Sequence, residues 1–342
     1  MKRLVARLLV VVLALAALVA AGCGGSDNKD NADTSGSGGG AATSTGSDNV
    51  DLTQGSGMTI AMVTHSDEGS FWSVVKKGAE QASKDEGVKL IWSPSNNDPQ
   101  KEAQLIDAAV SQKVDGLAVS VPNADAIKGS LAKAKSAGIP IITLNSGQDQ
   151  SKALGAITHV GQDESVAGKA AGERLKSEGV KKVLCIIHEQ NNIGLQQRCD
   201  GVKQGFGGNV TNLQVKGTAD IATTQTEIKS KLQADKSYDA VMALNPDIAV
   251  ASATAIKGAS SSAKLATFDI NPDVIKDIKS GTIDFAVDQQ QYLQGYLPIV
   301  FLKLFKTNAN TVGGGQPVLT GPGFVDKANA ATVEKLAGQG TR

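Results

Sequence analysis

Thr59-Ile60-Ala61-Met62-Val63-Thr64, followed by Ser70-Phe71-Trp72-Ser73-Val74-Val75-Lys76-Lys77-Gly78-Ala79-Glu80-Gln81-Ala82, is the stretch that decides the fold. The first six residues read as a buried strand. In the second segment Phe71, Val74, Val75, Gly78, Ala79 and Ala82 recur at i, i+3, i+4, i+7, i+8 and i+11, the spacing of one helix face. A strand leading into an amphipathic helix is a β-α unit, and the unit repeats. Strands are predicted at 88–92, 116–121 and 140–145, with helices at 99–112 and 124–137 between them. A second series follows, with strands at 183–188, 213–215, 240–245, 265–268 and 283–287 and helices at 196–206, 223–234, 248–257 and 272–280. Two such series predict an α/β protein of two doubly wound parallel sheets.

Ligands of doubly wound sheets bind outside the carboxyl ends of the strands, where loops and helix N-termini converge. The residues at those positions are 65–72, 94–97, 122–123, 145–146, 188–192, 245–246, 269–271 and 288–291. They are rich in amides and hydroxyls and poor in carboxylates and aromatics, with one guanidinium, Arg198, nearby. Such a lining suits a neutral, hydroxyl-dense molecule better than a phosphate or a hydrophobe.

Working outward, the chain has 342 residues with 34 Lys and Arg against 34 Asp and Glu. It carries no basic block of the kind that nucleic acid requires. The single apolar stretch long enough to suggest a membrane span lies at the N-terminus, which excludes a permease. There Lys2, Arg3 and Arg7 precede the apolar run 8–19 and the small residues Ala20-Ala21-Gly22, the pattern of an export signal over residues 1–22. Cys23 follows directly, as in a bacterial lipobox, where the thiol is acylated and becomes the new N-terminus. Ala20 stands where a lipobox usually has Leu, and an ordinary secretory signal is the alternative. Removal of the signal takes away Lys2, Arg3 and Arg7 and leaves 31 cationic against 34 acidic residues. Residues 24–56 are nearly all Gly, Ser, Thr, Asp, Asn and Ala, too polar to offset the entropy of ordering them. They are expected to form a tether with an r.m.s. span of roughly 30 Å.

Cys185 and Cys199 then remain as an even pair in an oxidising compartment. Cys185 falls in a predicted strand and Cys199 in the helix after it, and that helix packed back on its strand would allow a disulfide. Two buried thiols are the alternative. Neither cysteine has a second ligand at Cys-x-x-Cys spacing, so no metal site is expected.

From about residue 57 to the C-terminus the chain resembles the type I periplasmic solute-binding proteins of ABC importers, in their ribose-binding-like branch. The resemblance rests on Ile60-Ala61-Met62-Val63 followed by Ser70-Phe71-Trp72 and Gly78-Ala79-Glu80; on Asp115-Gly116; and on Gly138-Ile139-Pro140-Ile141-Ile142. Arg198 ahead of Gly201, Thr267-Phe268-Asp269 and Asp288-Gln289-Gln290-Gln291-Tyr292 complete it. It implies two α/β lobes joined by three crossovers and closing like a hinge: residues 57–161 with 289–322, and residues 162–288 with 323–342. It also implies that Phe71 and Trp72 pack against a sugar ring, and that Arg198, Asp269, Asn245 and Gln289 hold hydroxyls. His65 and Asn145, at strand ends, join these as candidate ligand contacts. Two departures matter. Asn145-Ser146 stands where ribose binders carry an Asp-Arg pair, and a polar residue expected near Gly69 is absent. Without a charged pair to read the anomeric end, a polyol is as compatible as a monosaccharide.

The expected protein is thus an extracytoplasmic, lipid-anchored, monomeric receptor that hands a sugar or polyol to an importer, with no cofactor and no nucleic-acid partner. An extracellular sensor for a furanosyl signal or a nucleoside is the alternative. His65 and His188 invite an enzymatic reading, but no Ser or Cys nucleophile sits in a strand-turn-helix elbow and no acid-base constellation accompanies them.

Overall fold

The computed structural model describes residues 57–342; the expected signal, Cys23 and the expected tether lie outside the described residues. The first lobe opens with β1 (Thr59–Thr64), α1 (Gly69–Glu86), β2 (Lys89–Pro94), α2 (Pro99–Ser111), β3 (Gly116–Ser120), α3 (Ala124–Ser136), β4 (Ile141–Leu144), a short α4 (Gln148–Ser151) and β5 (His159–Gln162). The second contains α5 (Glu164–Ser177), β6 (Lys182–Ile187), α6 (Ile193–Phe206), β7 (Asn209–Gln214), α7 (Ile221–Ala234), β8 (Ala240–Ala243), α8 (Pro246–Gly258), β9 (Lys264–Phe268), α9 (Pro272–Ser280) and β10 (Phe285–Asp288). The chain then returns through α10 (Gln291–Asn308) and β11 (Val318–Gly321) before closing with β12 (Gly323–Asp326) and α11 (Ala330–Gln339).

The strand orders are β11-β5-β4-β3-β1-β2 and β12-β10-β9-β8-β6-β7. Within each, the first five strands follow the doubly wound order 2-1-3-4-5, so each sheet has a switch point, at β1/β3 and at β6/β8. Apolar layers cover both faces of both sheets. Ile60, Met62 and Ile142 pack under α1 and α10, and Val63, Leu117 and Ile141 under α2 and α3. In the second lobe one layer gathers Val183, Cys185 and Phe268 with α5 and α6, the other Leu184, Val241 and Ala286 with α7, α8, α9 and α11. The chain passes between the sheets three times: from β5 to α5, from β10 to α10, and from β11 to β12.

Three helices start in the same way, with a side-chain acceptor followed by proline. Asp98, Asn245 and Asn271 cap α2, α8 and α9, and Pro99, Pro246 and Pro272 take the first turn, where a missing N–H costs nothing. Each cap directly follows a strand or its loop, which aims the start of the helix at the end of the sheet where the lobes meet.

The structure departs from the sequence reading in several elements. β7 runs over Asn209–Gln214 rather than 213–215; it is an edge strand whose alternating polar residues hide its length. β5 has one large apolar residue, Val160, in His-Val-Gly-Gln, and its burial comes from the neighbouring strands rather than from its own composition. The sheets are not wholly parallel, because β12 pairs antiparallel with β10. It enters directly from β11 without a helical crossover, and so runs the opposite way. Cys185 and Cys199 form a disulfide with a Cα–Cα separation of 6.0 Å. Among the described residues no helix is long and apolar enough to cross a membrane.

Candidate ligand-binding site

A narrow pocket lies in the cleft between the lobes. His65, Phe71, Trp72, Asn145, Arg198, Asn245, Asp269 and Gln289 all line it. The fold thus brings all eight candidate contacts to one place, from five strand ends or helix starts, the body of α6 and one crossover.

Arg198 projects from α6, which lies almost in backbone contact with α5. Glycines on both helices permit that approach: a Cβ at Gly201 would stand 2.5 Å from the Ser165 carbonyl oxygen, and one at Gly168 would collide with that of Arg198. Glu164, in the first turn of α5, then grips the guanidinium by its fork. Arg198 Nε donates to Glu164 Oε2 at 2.7 Å and a terminal nitrogen to Oε1 at 2.7 Å. The other terminal nitrogen donates to the Leu244 carbonyl at 3.0 Å, and the group lies 4.7 Å over the Phe268 ring. Three of the five N–H donors are engaged, which leaves two for a ligand.

Asp269 follows β9 in the left-handed region, with φ of 66°. One carboxylate oxygen accepts from Gln289 Nε2 at 2.8 Å, and the other lies 3.8 Å from Arg198. Burial pushes its pKa up to about 7, against the opposing pull of Arg198 and of the Gln289 hydrogen bond. Asn271, and not Asp269, caps α9. Asn245 spends its side-chain carbonyl on capping α8, so its amide nitrogen is the atom left to face the cleft. Gln289 is committed to its neighbours: it holds Asp269, and its own carbonyl accepts from Gln294 at 2.7 Å. Gln294 also donates to Thr320 Oγ1 and accepts from Asn145 Nδ2 at 3.3 Å. This buried chain ties Asp269 in the second lobe to Asn145 in the first by way of the β10-to-α10 crossover, with Thr320 as a side branch.

On the first-lobe side Phe71 and Trp72 open α1 and meet edge to face at 5.2 Å, and His65 stands edge-on to Trp72 at 4.8 Å. Both aromatics belong at once to the core beneath α1 and to the cavity lining. His65 is fixed by Ser120 at the end of β3, with Nδ1 2.8 Å from Oγ. Its Nε2 reaches across the cleft to within 3.5 Å of Glu189 and 3.3 Å of Asn192. Burial opposes ionisation of Glu189, yet His65, His188 and Asn192 together hold its pKa down at about 2. Asn145, with φ of 61°, accepts from Ser146 Oγ, which itself lies 2.9 Å from Asn192 Oδ1. The site thus has neutral amide and hydroxyl groups at the end of β4. Among the described residues no cluster of three or more His, Cys, Asp or Glu could hold a metal ion.

Sequence reasoning missed Glu164 and Gln294. Glu164 follows a strand too short and too polar to be seen, and Gln294 lies inside a helix that the β-α pattern did not include. The strand-end rule would have found Glu164 had β5 been recognised.

The profile of the family described as periplasmic binding protein domain matches residues 60–306. The chain belongs to that family. A carbohydrate transporter from Acidothermus cellulolyticus 11B, solved in complex with myo-inositol, is 46% identical with a TM-score of 0.81, and the alignment covers 83% of this chain and 99% of that one. The ribose import binding protein of Haemophilus influenzae is 27% identical over 246 residues, 71% of this chain and 83% of that protein. A xylitol-binding protein of Mycolicibacterium smegmatis is 31% identical over 137 residues, 38% of each chain. These relatives of the periplasmic binding protein family are binding proteins of transport systems and not enzymes.

Proposed function

We propose that the protein captures a small, neutral, polyhydroxylated ring between its lobes and presents it to an ABC importer, with a cyclitol such as myo-inositol as the first candidate. The observation that carries this reading is the Arg198-Glu164 fork beside Asp269, facing Phe71 and Trp72 across the cleft. Two free guanidinium donors and a carboxylate engage vicinal hydroxyls, while the CH face of a ring rests on aromatic edges and faces. The end of β4 favours a cyclitol over an aldopentose. Asn145 and Ser146 are neutral and hydrogen-bonded to each other, which suits a ring whose carbons all carry equivalent hydroxyls and which has no anomeric centre to read. The solved relative that holds myo-inositol supports the same choice.

The reading extends to the termini: export directed by residues 1–22, a lipid on Cys23, and a tether that lets the folded part meet its importer at the outer face of the membrane. Calorimetric titration with myo-inositol, ribose and xylitol tests the ligand class. Binding of myo-inositol that disappears in Asp269→Ala is the expected result; heat from none of the three would overturn the reading.

A further inference from the structure

Helix α1, which carries Phe71 and Trp72, begins without a cap of its own. Glu68 at its N-cap position makes no side-chain hydrogen bond, and its first turn holds no acidic residue. One of its N-terminal N–H groups, that of Ser70, is met instead from the opposite lobe. Ser70 N donates to Asp247 Oδ2 at 3.0 Å and Ser70 Oγ to Asp247 Oδ1 at 2.9 Å. Asp247 lies in the first turn of α8, beyond the residues that line the ligand cavity. Asn271, the cap of α9, donates to the same pair, at 3.3 Å to Ser70 Oγ and 3.4 Å to Asp247 Oδ1. A carboxylate placed at the starts of α1 and α8 together is favoured by both helix dipoles. Room for it depends on Gly69. That residue has φ of +80°, and a Cβ there would stand 2.5 Å from Asp247 Oδ2.

We propose that Asp247 is a positioning residue for ligand capture: it caps α1 from across the cleft, an arrangement available only when the lobes are together, and so holds the Phe71-Trp72 turn against the bound molecule. The proposal rests on the cleft being the ligand site, but the contact itself needs no ligand. When the hinge opens, Ser70 passes to water and Asp247 keeps its place on α8. Closure therefore gains a cap that the open state lacks, a preference for one state that is independent of what fills the cavity.

The experiment combines two readouts on the full-length protein. Labels at Ala132→Cys and Lys257→Cys, exposed positions on α3 and α8, report the separation of the lobes by pulsed dipolar spectroscopy without ligand. Stopped-flow and calorimetry report myo-inositol binding. Asp247→Ala should shift the ligand-free protein toward longer separations and weaken affinity about fivefold, the usual worth of a helix cap, through faster dissociation. Asp247→Asn, which keeps one acceptor, should fall between the two, and Gly69→Ala should reproduce the shift with Asp247 intact. Unchanged separations in Asp247→Ala would overturn the proposal, even if affinity fell. If the wild-type protein binds no myo-inositol, the functional reading fails, while the separations still decide the role of Asp247.

Discussion

On the second-lobe wall of the cleft Arg198 is held by buried charge within its own lobe: Glu164 grips it with two 2.7 Å hydrogen bonds, and it in turn lies beside Asp269. On the first-lobe wall Phe71 and Trp72 open a helix that has no cap of its own and is capped by Asp247 from the opposite lobe. One wall is organised before the lobes meet, the other completed by their meeting. The comparison suggests a division of labour in which the second lobe reads hydroxyls and the first lobe reports closure.

The strongest way to break that contrast is Glu164→Gln. It leaves the Arg198 charge buried without its partner, a change that typically costs about 3–5 kcal/mol. Urea unfolding should show that loss, and myo-inositol binding should vanish with it, because the fork that aims the two free donors is gone. A loss below 1 kcal/mol would mean that Arg198 relaxes to another partner and that the second lobe is no better organised than the first. Next in size is the disulfide, which also belongs to the second lobe alone. Cys185 and Cys199 are 14 residues apart, and a loop of that size contributes about 3 kcal/mol by restricting the unfolded chain. Cys185→Ser with Cys199→Ser should lower stability by that amount while leaving affinity near wild type. An affinity loss as large as that of Glu164→Gln would show that the disulfide sets the position of Arg198, which shares α6 with Cys199.

How much of this was legible in the sequence differs between the walls for physical reasons. Strands such as Thr59–Thr64 and Lys182–Ile187 announce themselves because they are buried on both faces and read as apolar runs. The Asn-Pro helix starts at Asn245 and Asn271 follow from local hydrogen bonding. The candidate contacts could be placed because strand ends of a doubly wound sheet converge. What escaped was whatever depends on long-range partners. Glu164 acts through Arg198, 34 residues away, from behind the strand His159–Gln162, which is made buried by its neighbours. Gly69 read as a missing polar contact; its role is to admit Asp247, 177 residues distant from Ser70 in the chain. No local pattern in the sequence encodes either.

The smallest effect gives the sharpest comparison, because among the described residues Glu102 in the first lobe and Asp269 in the second are buried acids with raised pKa, and Asp269 lines the ligand pocket while Glu102 lines the one adjoining it. Burial lifts Glu102 in α2 to about 8 and Asp269 to about 7. Both values lie above those of the unfolded chain. Each group therefore adds stability that is fully present below its unfolded pKa, near 4, and that is lost as pH rises through the folded value. Binding should run the other way for Asp269 alone. If its carboxylate accepts ligand hydroxyls, affinity for myo-inositol should fall about tenfold for each pH unit below 7, even as the ligand-free fold grows firmer. Titrations from pH 5 to 9 with parallel thermal melts separate the two acids. Asp269→Asn should flatten the affinity profile and reduce the fall in stability, whereas Glu102→Gln should reduce the fall in stability toward pH 9 and leave the affinity profile untouched. An affinity profile that follows Glu102 instead would move ligand recognition into the first lobe and reverse the assignment of the two walls.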